Sequence, residues 1–157
     1  MKPEERDILV YLLTKWWVLS LGVLVDEKPH VGLLPFVVAD DYGSALVHSS
    51  QLARDSRGLQ PGLPFSALIH SSDDPGMDAL QLPRVSISGT VQIVAQSDAD
   101  YDVSRAAYME RFPKSEVTFA LGDFNLYRLH FEWGRLVTGF ARAITLSPES
   151  FQELKSP

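Results

Sequence analysis

Turn-forming clusters cut this sequence into short β-prone runs, and that punctuation constrains the fold more than any other feature. Val18 to Val25 is rich in β-formers and ends at Asp26-Glu27-Lys28-Pro29. His30 to Val38 follows and closes at Ala39-Asp40-Asp41-Tyr42-Gly43, and Ser44 to Ser49 is a third run. Three short strands with turn signals at such close spacing predict an antiparallel sheet or barrel. Phe65 to His70 reads as a fourth strand. Arg84 to Ala95 reads as a long fifth, with Val85, Ile87, Val91 and Ile93 on one alternating face. Gly89 interrupts it, which marks a bulge or a close backbone approach. Asn125 to Trp133 and Arg135 to Leu146 complete the set, joined tightly at Gly134.

Helical signals fill the gaps. Pro3, Glu4, Glu5 and Asp7 suit a helix start, because proline fits the first turn and acids there complement the helix dipole. Ile8, Leu9, Leu12, Leu13 and Trp16 then recur at helical spacing, which predicts a helix from Pro3 to Lys15. Ser49 or Ser50 caps a second helix over Gln51 to Leu59, which Pro61-Gly62 stops. Asp98 to Phe112 and Ser115 to Leu121 are further helices, and Ser147-Pro148-Glu149 starts a last one. The expectation is an α+β, mainly β chain: a β-barrel with peripheral short helices, not a βαβ array.

The chain has 157 residues, which predicts a single domain, residues 1–157, with no linker or repeat. The absence of Cys excludes disulfides, thiolate metal sites and a Cys nucleophile. A net charge of −6 argues against nucleic-acid binding, which calls for a basic face. The charged N-terminus does not read as a signal peptide, and Val10 to Val25 is broken by Thr14, Lys15, Ser20 and Gly22, so no membrane span is expected. A cytoplasmic protein is the resulting expectation.

Candidate chemistry concentrates at His48-Ser49-Ser50-Gln51-Leu52-Ala53-Arg54-Asp55-Ser56-Arg57. A helix start with hydroxyls and two arginines three residues apart can hold a phosphate, although a capped surface helix with solvated arginines has the same pattern. Arg84 can face an anionic ligand or pair with Asp78. Phe140 and Arg142, two apart in the last strand, can meet one ligand with a ring and a guanidinium, or Arg142 can face solvent. His30, His48, His70 and His130 show no metal-site spacing, and no metal is expected. No nucleophile elbow, Walker loop or Gly-x-Gly-x-x-Gly occurs, and no catalytic residue can be named. Trp16, Trp17, Phe36, Phe124 and Trp133 read as core or dimer-contact aromatics.

Four strings give these patterns a family context. They are Pro29-His30-Val31-Gly32-Leu33-Leu34-Pro35-Phe36, His48-Ser49-Ser50-Gln51-Leu52-Ala53-Arg54, Arg84-Val85-Ser86-Ile87-Ser88-Gly89, and Gly122-Asp123-Phe124 through Gly139-Phe140-Ala141-Arg142-Ala143. In order and spacing the chain resembles the FMN-binding split β-barrels of the pyridoxamine 5′-phosphate oxidase type, in the haem-utilisation (HugZ-like) branch, from Glu5 to Leu146. The resemblance implies an antiparallel split barrel of Greek-key type and a homodimer with FMN at the subunit interface. It implies a flavin-dependent oxidoreductase acting on a small molecule. Leu34, Pro35 and Phe36 would line the isoalloxazine, and His48, Ser49, Ser50, Arg54 and Arg57 would hold the phosphate. Arg84 would lie near the ring, and Phe140 and Arg142 would face the partner's site.

The alternative that the branch implies is haem binding or degradation, with His48 or His130 as iron ligand. Loss of the cofactor, leaving a ligand-binding module, is a third reading. Relatives carry His at Asp55, Asn at Gly58 and Asp-Pro-Arg at Pro61-Gly62-Leu63. An Asp beside a phosphate opposes it by like charge. The Arg-Leu-x-Pro motif of the true oxidases is absent, so pyridoxamine phosphate oxidation is not implied.

Overall fold

The computed structural model describes residues 1–155. Helix α1 (Pro3–Lys15) precedes strands β1 (Val18–Val25), β2 (Lys28–Val38) and β3 (Ser44–Ser50). Strands β4 (Pro64–His70) and β5 (Arg84–Val94) follow, then helices α2 (Tyr101–Arg111) and α3 (Glu116–Phe119). Strands β6 (Phe124–Gly139) and β7 (Arg142–Leu146) and helix α4 (Pro148–Gln152) complete the described chain.

The strands run β3-β2-β1-β4-β5-β6-β7, every neighbour antiparallel, and β3 also pairs with β6. That extra pairing closes β1 to β6 into a six-stranded barrel and leaves β7 as an added strand. The sequence expectation of a mainly β split barrel with short helices stands. Closure pairs β3 with β6, which an open sheet would leave as a free edge, while β7 keeps one unpaired edge among the described residues.

The turns follow from local chemistry. Asp26 and Glu27 form the two-residue loop between β1 and β2, both at positive φ (52° and 62°), and such turns match the twist of the flanking strands. The register of β5 against β6 shifts between Ser88 and Gly89. A Cβ on Gly89 would sit 1.8 Å from the His130 carbonyl oxygen, so only glycine fits this bulge.

The barrel interior holds the main core, including Leu21, Phe36, Val85, Leu129 and Leu136. Leu9, Leu12 and Leu13 of α1 join that core, and α1 touches β2, β4, β5 and β6 alike. A second cluster (Leu46, Val94, Tyr108 and Leu126) lies under α2. Arg111 ties α2 to the α1–β1 junction: its guanidinium donates to the Thr14 and Trp16 carbonyls and stacks 4.8 Å from the Trp17 ring.

Two expected elements differ. Gln51 to Leu59 is not a helix; it is a series of turns around a single 3-10 turn, Asp55–Arg57. Serine hydroxyls compete for its backbone: Leu52 N–H donates to Ser50 Oγ, and the Ser56 hydroxyl donates to the Ser50 carbonyl. The last two strands do not meet at Gly134 either. Strand β6 runs through that residue, and the turn is Phe140-Ala141, with Ala141 at φ 58°. Gly134 is glycine because a Cβ there would lie 2.9 Å from the Phe151 ring and 3.3 Å from Leu146. Close packing of α4 and β7, not a turn, requires it.

Candidate functional site: an uncovered sheet face and its rim

Strand alternation sends Leu19, Leu21, Val23 and Val25 of β1 inward and Val18, Ser20, Gly22 and Leu24 outward. The same alternation in β4 turns Ser66, Leu68 and His70 outward. Cross-strand register arranges the outward residues in rows. One row is Leu33, Ser20, Leu68, Ser86 and Arg135; the next is Val31, Gly22, Ser66, Ser88 and Trp133. The third is His70, Arg84 and Val137.

This face spans five strands. Its middle is small (Gly22, Ser66, Ser86 and Ser88), and its flanks carry exposed apolar side chains. Val31 is 69% exposed, Leu33 65% and Trp133 45%. Arg84 and Arg135 place positive charge along one side. Arg84 Nη1 donates to the Leu82 carbonyl at 3.0 Å rather than pairing with Asp78, and Arg135 Nη1 donates to Thr145 Oγ1 at 2.9 Å.

The predicted flavin-lining run divides by parity. Phe36 is 0% exposed, within the barrel core, and Leu34 packs against that core. Pro35 is half-buried opposite Val18. The β2 side chains most open to the outer face are therefore Val31 and Leu33.

The segment His48 to Arg57 is internally bonded. Ser49 and Ser56 are buried, and their hydroxyls lie 3.0 Å apart. Ser50 Oγ donates to Asp123 Oδ2 at 2.8 Å. Arg57 pairs with Asp26 at 2.8 and 2.9 Å, both side chains exposed. Asp55 is 7% exposed, its Oδ2 has no hydrogen-bond partner, and its carboxylate lies 3.5 Å from the position a Cβ on Gly32 would take. The Arg54 side chain is exposed and makes no hydrogen bond or ion pair among the described residues. The expected phosphate cradle thus has its hydroxyls committed to the fold and a carboxylate at its centre. With only a 3-10 turn present, no helix N-terminus adds donors.

His48 belongs to the second core. Its ring stacks on Phe119 with centroids 3.9 Å apart and meets Tyr108 edge-on at 5.6 Å. Burial pushes its pKa down to about 4 and pushes that of Tyr108 up to about 12. Thr118 Oγ1 donates to the Ser115 carbonyl, so it accepts from His48 Nδ1 at 3.3 Å, and Nε2 is buried without a partner. His130 Nε2 is 2.7 Å from Gln92 Oε1. Phe140 is at the tip of the β6–β7 turn, 66% exposed, and Arg142 begins β7 in the open. They share no strand face, because the turn falls between them.

Among the described residues, no group of three or more His, Cys, Asp or Glu could hold a metal ion, and no helix is long and apolar enough to cross a membrane.

Comparison with known proteins supports this architecture. One solved structure is 30% identical, covers 96% of this chain and 97% of its own, and superposes with a TM-score of 0.77. A protein of the pyridoxinephosphate oxidase family from Clostridium acetobutylicum (11% identity, 96% and 99% covered) gives 0.69. HutZ, the haem storage protein of Vibrio cholerae (22% identity, 83% and 89% covered), gives 0.68. The chain shares the split β-barrel fold of these pyridoxinephosphate oxidase-family and haem storage proteins. A haem-binding protein from Mycobacterium smegmatis is also similar, at 19% identity and a TM-score of 0.80. The alignment covers 97% of this split-barrel chain but only 61% of the mycobacterial protein. No family model and no curated protein matches the chain.

Strand parity and cross-strand register bring His70, Trp133 and Arg135 to the same face as Arg84. No short motif marks them; only the register, which the bulge at Gly89 shifts, places them together.

Proposed function

We propose that this split-barrel protein is a haem-binding homodimer. The observation that carries the reading is the outer face: a largely uncovered sheet surface with small residues in its middle and cationic side chains along one side. A planar apolar ring with carboxylates suits such a surface. Arg84 and Arg135 are the groups that would pair with the carboxylates, and Leu33 and Leu68 would contact the ring. Bound haem supplies an iron centre for redox or ligand-binding chemistry. The protein's part is to hold the ring, neutralise its carboxylates and limit water. The similarity to a mycobacterial haem-binding protein and to HutZ supports the same reading.

A second copy of the chain would cover the same face. The exposed Val31, Leu33, Leu24 and Trp133 surround small residues that let two sheets approach closely. The homodimer makes the cofactor site a product of two chains.

The second reading is an FMN-dependent oxidoreductase acting on a small molecule. The uncommitted guanidinium of Arg54 favours it, since that side chain could meet a phosphate. Against it stand the committed hydroxyls of Ser49, Ser50 and Ser56 and the buried carboxylate of Asp55.

Absorption spectra after separate additions of haemin and FMN decide between them. A Soret band that shifts and saturates at stoichiometric haemin, with no FMN uptake, is the expected result. Tight FMN uptake without a haemin response would overturn the haem reading in favour of the flavin one.

A further inference from the structure

The haem reading leaves the iron ligand unnamed, and the inference that follows rests on that reading. His48, one ligand expected from sequence, is locked in a core of aromatic rings. His130 commits Nε2 to the side-chain carbonyl of Gln92. His30 lines a small apolar hollow with Gly22, Leu24 and Val31.

His70 differs from all three. It ends β4, its side chain is exposed, and it lies on the outer face. Its Nδ1 is 2.7 Å from the Ser71 carbonyl oxygen. A carbonyl can only accept, so Nδ1 carries a proton, and in the neutral ring Nε2 carries the lone pair. Nε2 has no partner among the described residues. A metal-binding histidine is commonly held in this way, with its second nitrogen donating to a backbone carbonyl that fixes the tautomer and ring orientation. Directly across the ladder from His70 is Arg84. Its guanidinium makes one hydrogen bond, to the Leu82 carbonyl, and retains donors for a carboxylate.

We propose that His70 Nε2 ligates haem iron and that Arg84 pairs with a haem propionate. The Fe–N bond forms from the Nε2 lone pair, and the water or hydroxide held by free ferric haemin leaves. No electron is transferred in this step.

Haemin titration of the full chain and of His70→Ala and Arg84→Gln tests the assignment, read by Soret position and dissociation constant. Wild type should give a saturating Soret shift. His70→Ala should lose the histidine-ligated spectrum and bind at least about tenfold more weakly, in line with loss of a metal ligand's support. Added imidazole should restore the spectrum. Arg84→Gln should weaken binding while the Soret position of the saturated complex is kept. Identical spectra and affinity in wild type and His70→Ala would overturn the His70 assignment and leave the haem reading standing. No response in wild type would overturn both. A second measurement needs no variant: 15N NMR of the ligand-free protein should show a protonated Nδ1 and a bare Nε2 at His70, and the opposite tautomer would overturn the proposal.

Discussion

Acid should weaken this protein through His48 in a way that can be isolated from every other titrating group. The folded-state pKa of His48 is about 4, pushed there by burial among Phe119, Tyr108 and Phe124, against an ordinary value of 6.5. Between those values the unfolded chain binds the proton and the folded chain does not. Stability therefore rises with pH through that window, and falls as pH drops below 6.5, by about 1.4 kcal/mol per unit. The loss attributable to His48 is about 2 kcal/mol at pH 5, and it levels off below pH 4 at about 3 kcal/mol. Urea unfolding at pH 7.5 and pH 5, on wild type and His48→Gln, gives a double difference from which the shared carboxylates cancel. Wild type should lose about 2 kcal/mol more than the variant between the two pH values. Equal losses would refute the argument. So would an NMR titration of the His48 ring with a midpoint near 6.5, a check that stands even where the variant folds poorly.

Three further outcomes follow from packing, charge and exposure. Gly89→Ala forces a Cβ against the His130 carbonyl and should lower stability by about 3 kcal/mol, a Tm fall of roughly 6–12 °C; a Tm within a degree of wild type would contradict the bulge geometry. Arg57→Ala removes an exposed ion pair with Asp26 and should change unfolding free energy by less than about 1 kcal/mol, so a larger loss in urea unfolding would assign that pair a structural role it lacks here. Leu33→Asp places a charge on the outer face and should convert the proposed dimer to a folded monomer; light scattering that still gives a dimer, with native circular dichroism, would move the interface elsewhere.

Much of the architecture is written locally. Pro3 and the acids after it start α1, and the apolar spacing sets its buried face at Leu9, Leu12 and Leu13. Clusters such as Asp26-Glu27 end strands, because their turns need residues that tolerate positive φ or short polar side chains. These signals lie within a few residues of the structure they cause, so the strand order along the chain could be read directly. The bulge at Gly89 was legible for the same reason.

The site was legible only in part. Arg84 could be singled out as a charge opening a strand, and it does lie on the outer face. The phosphate cradle at Ser49 to Arg57 could not be judged from sequence, because the same serines serve equally as donors to a ligand or as bonds within the fold. The partners Ser56 and Asp123, the latter far along the chain, decided which. Gly134 read as a turn because glycine has the same local signature whether it bends the chain or admits a neighbour, and only the contact with Phe151 distinguishes the two.

The sequence by itself determined that the chain is built of short antiparallel strands with helices at their margins, since turn chemistry and periodicity are local properties. Tertiary structure alone decided which side chains share the outer face. A one-residue change of register sends a side chain to the opposite side of a sheet, and that register is set by pairing between distant segments. His70 opposite Arg84, beside Val137, is a fact of the barrel rather than of any stretch of sequence.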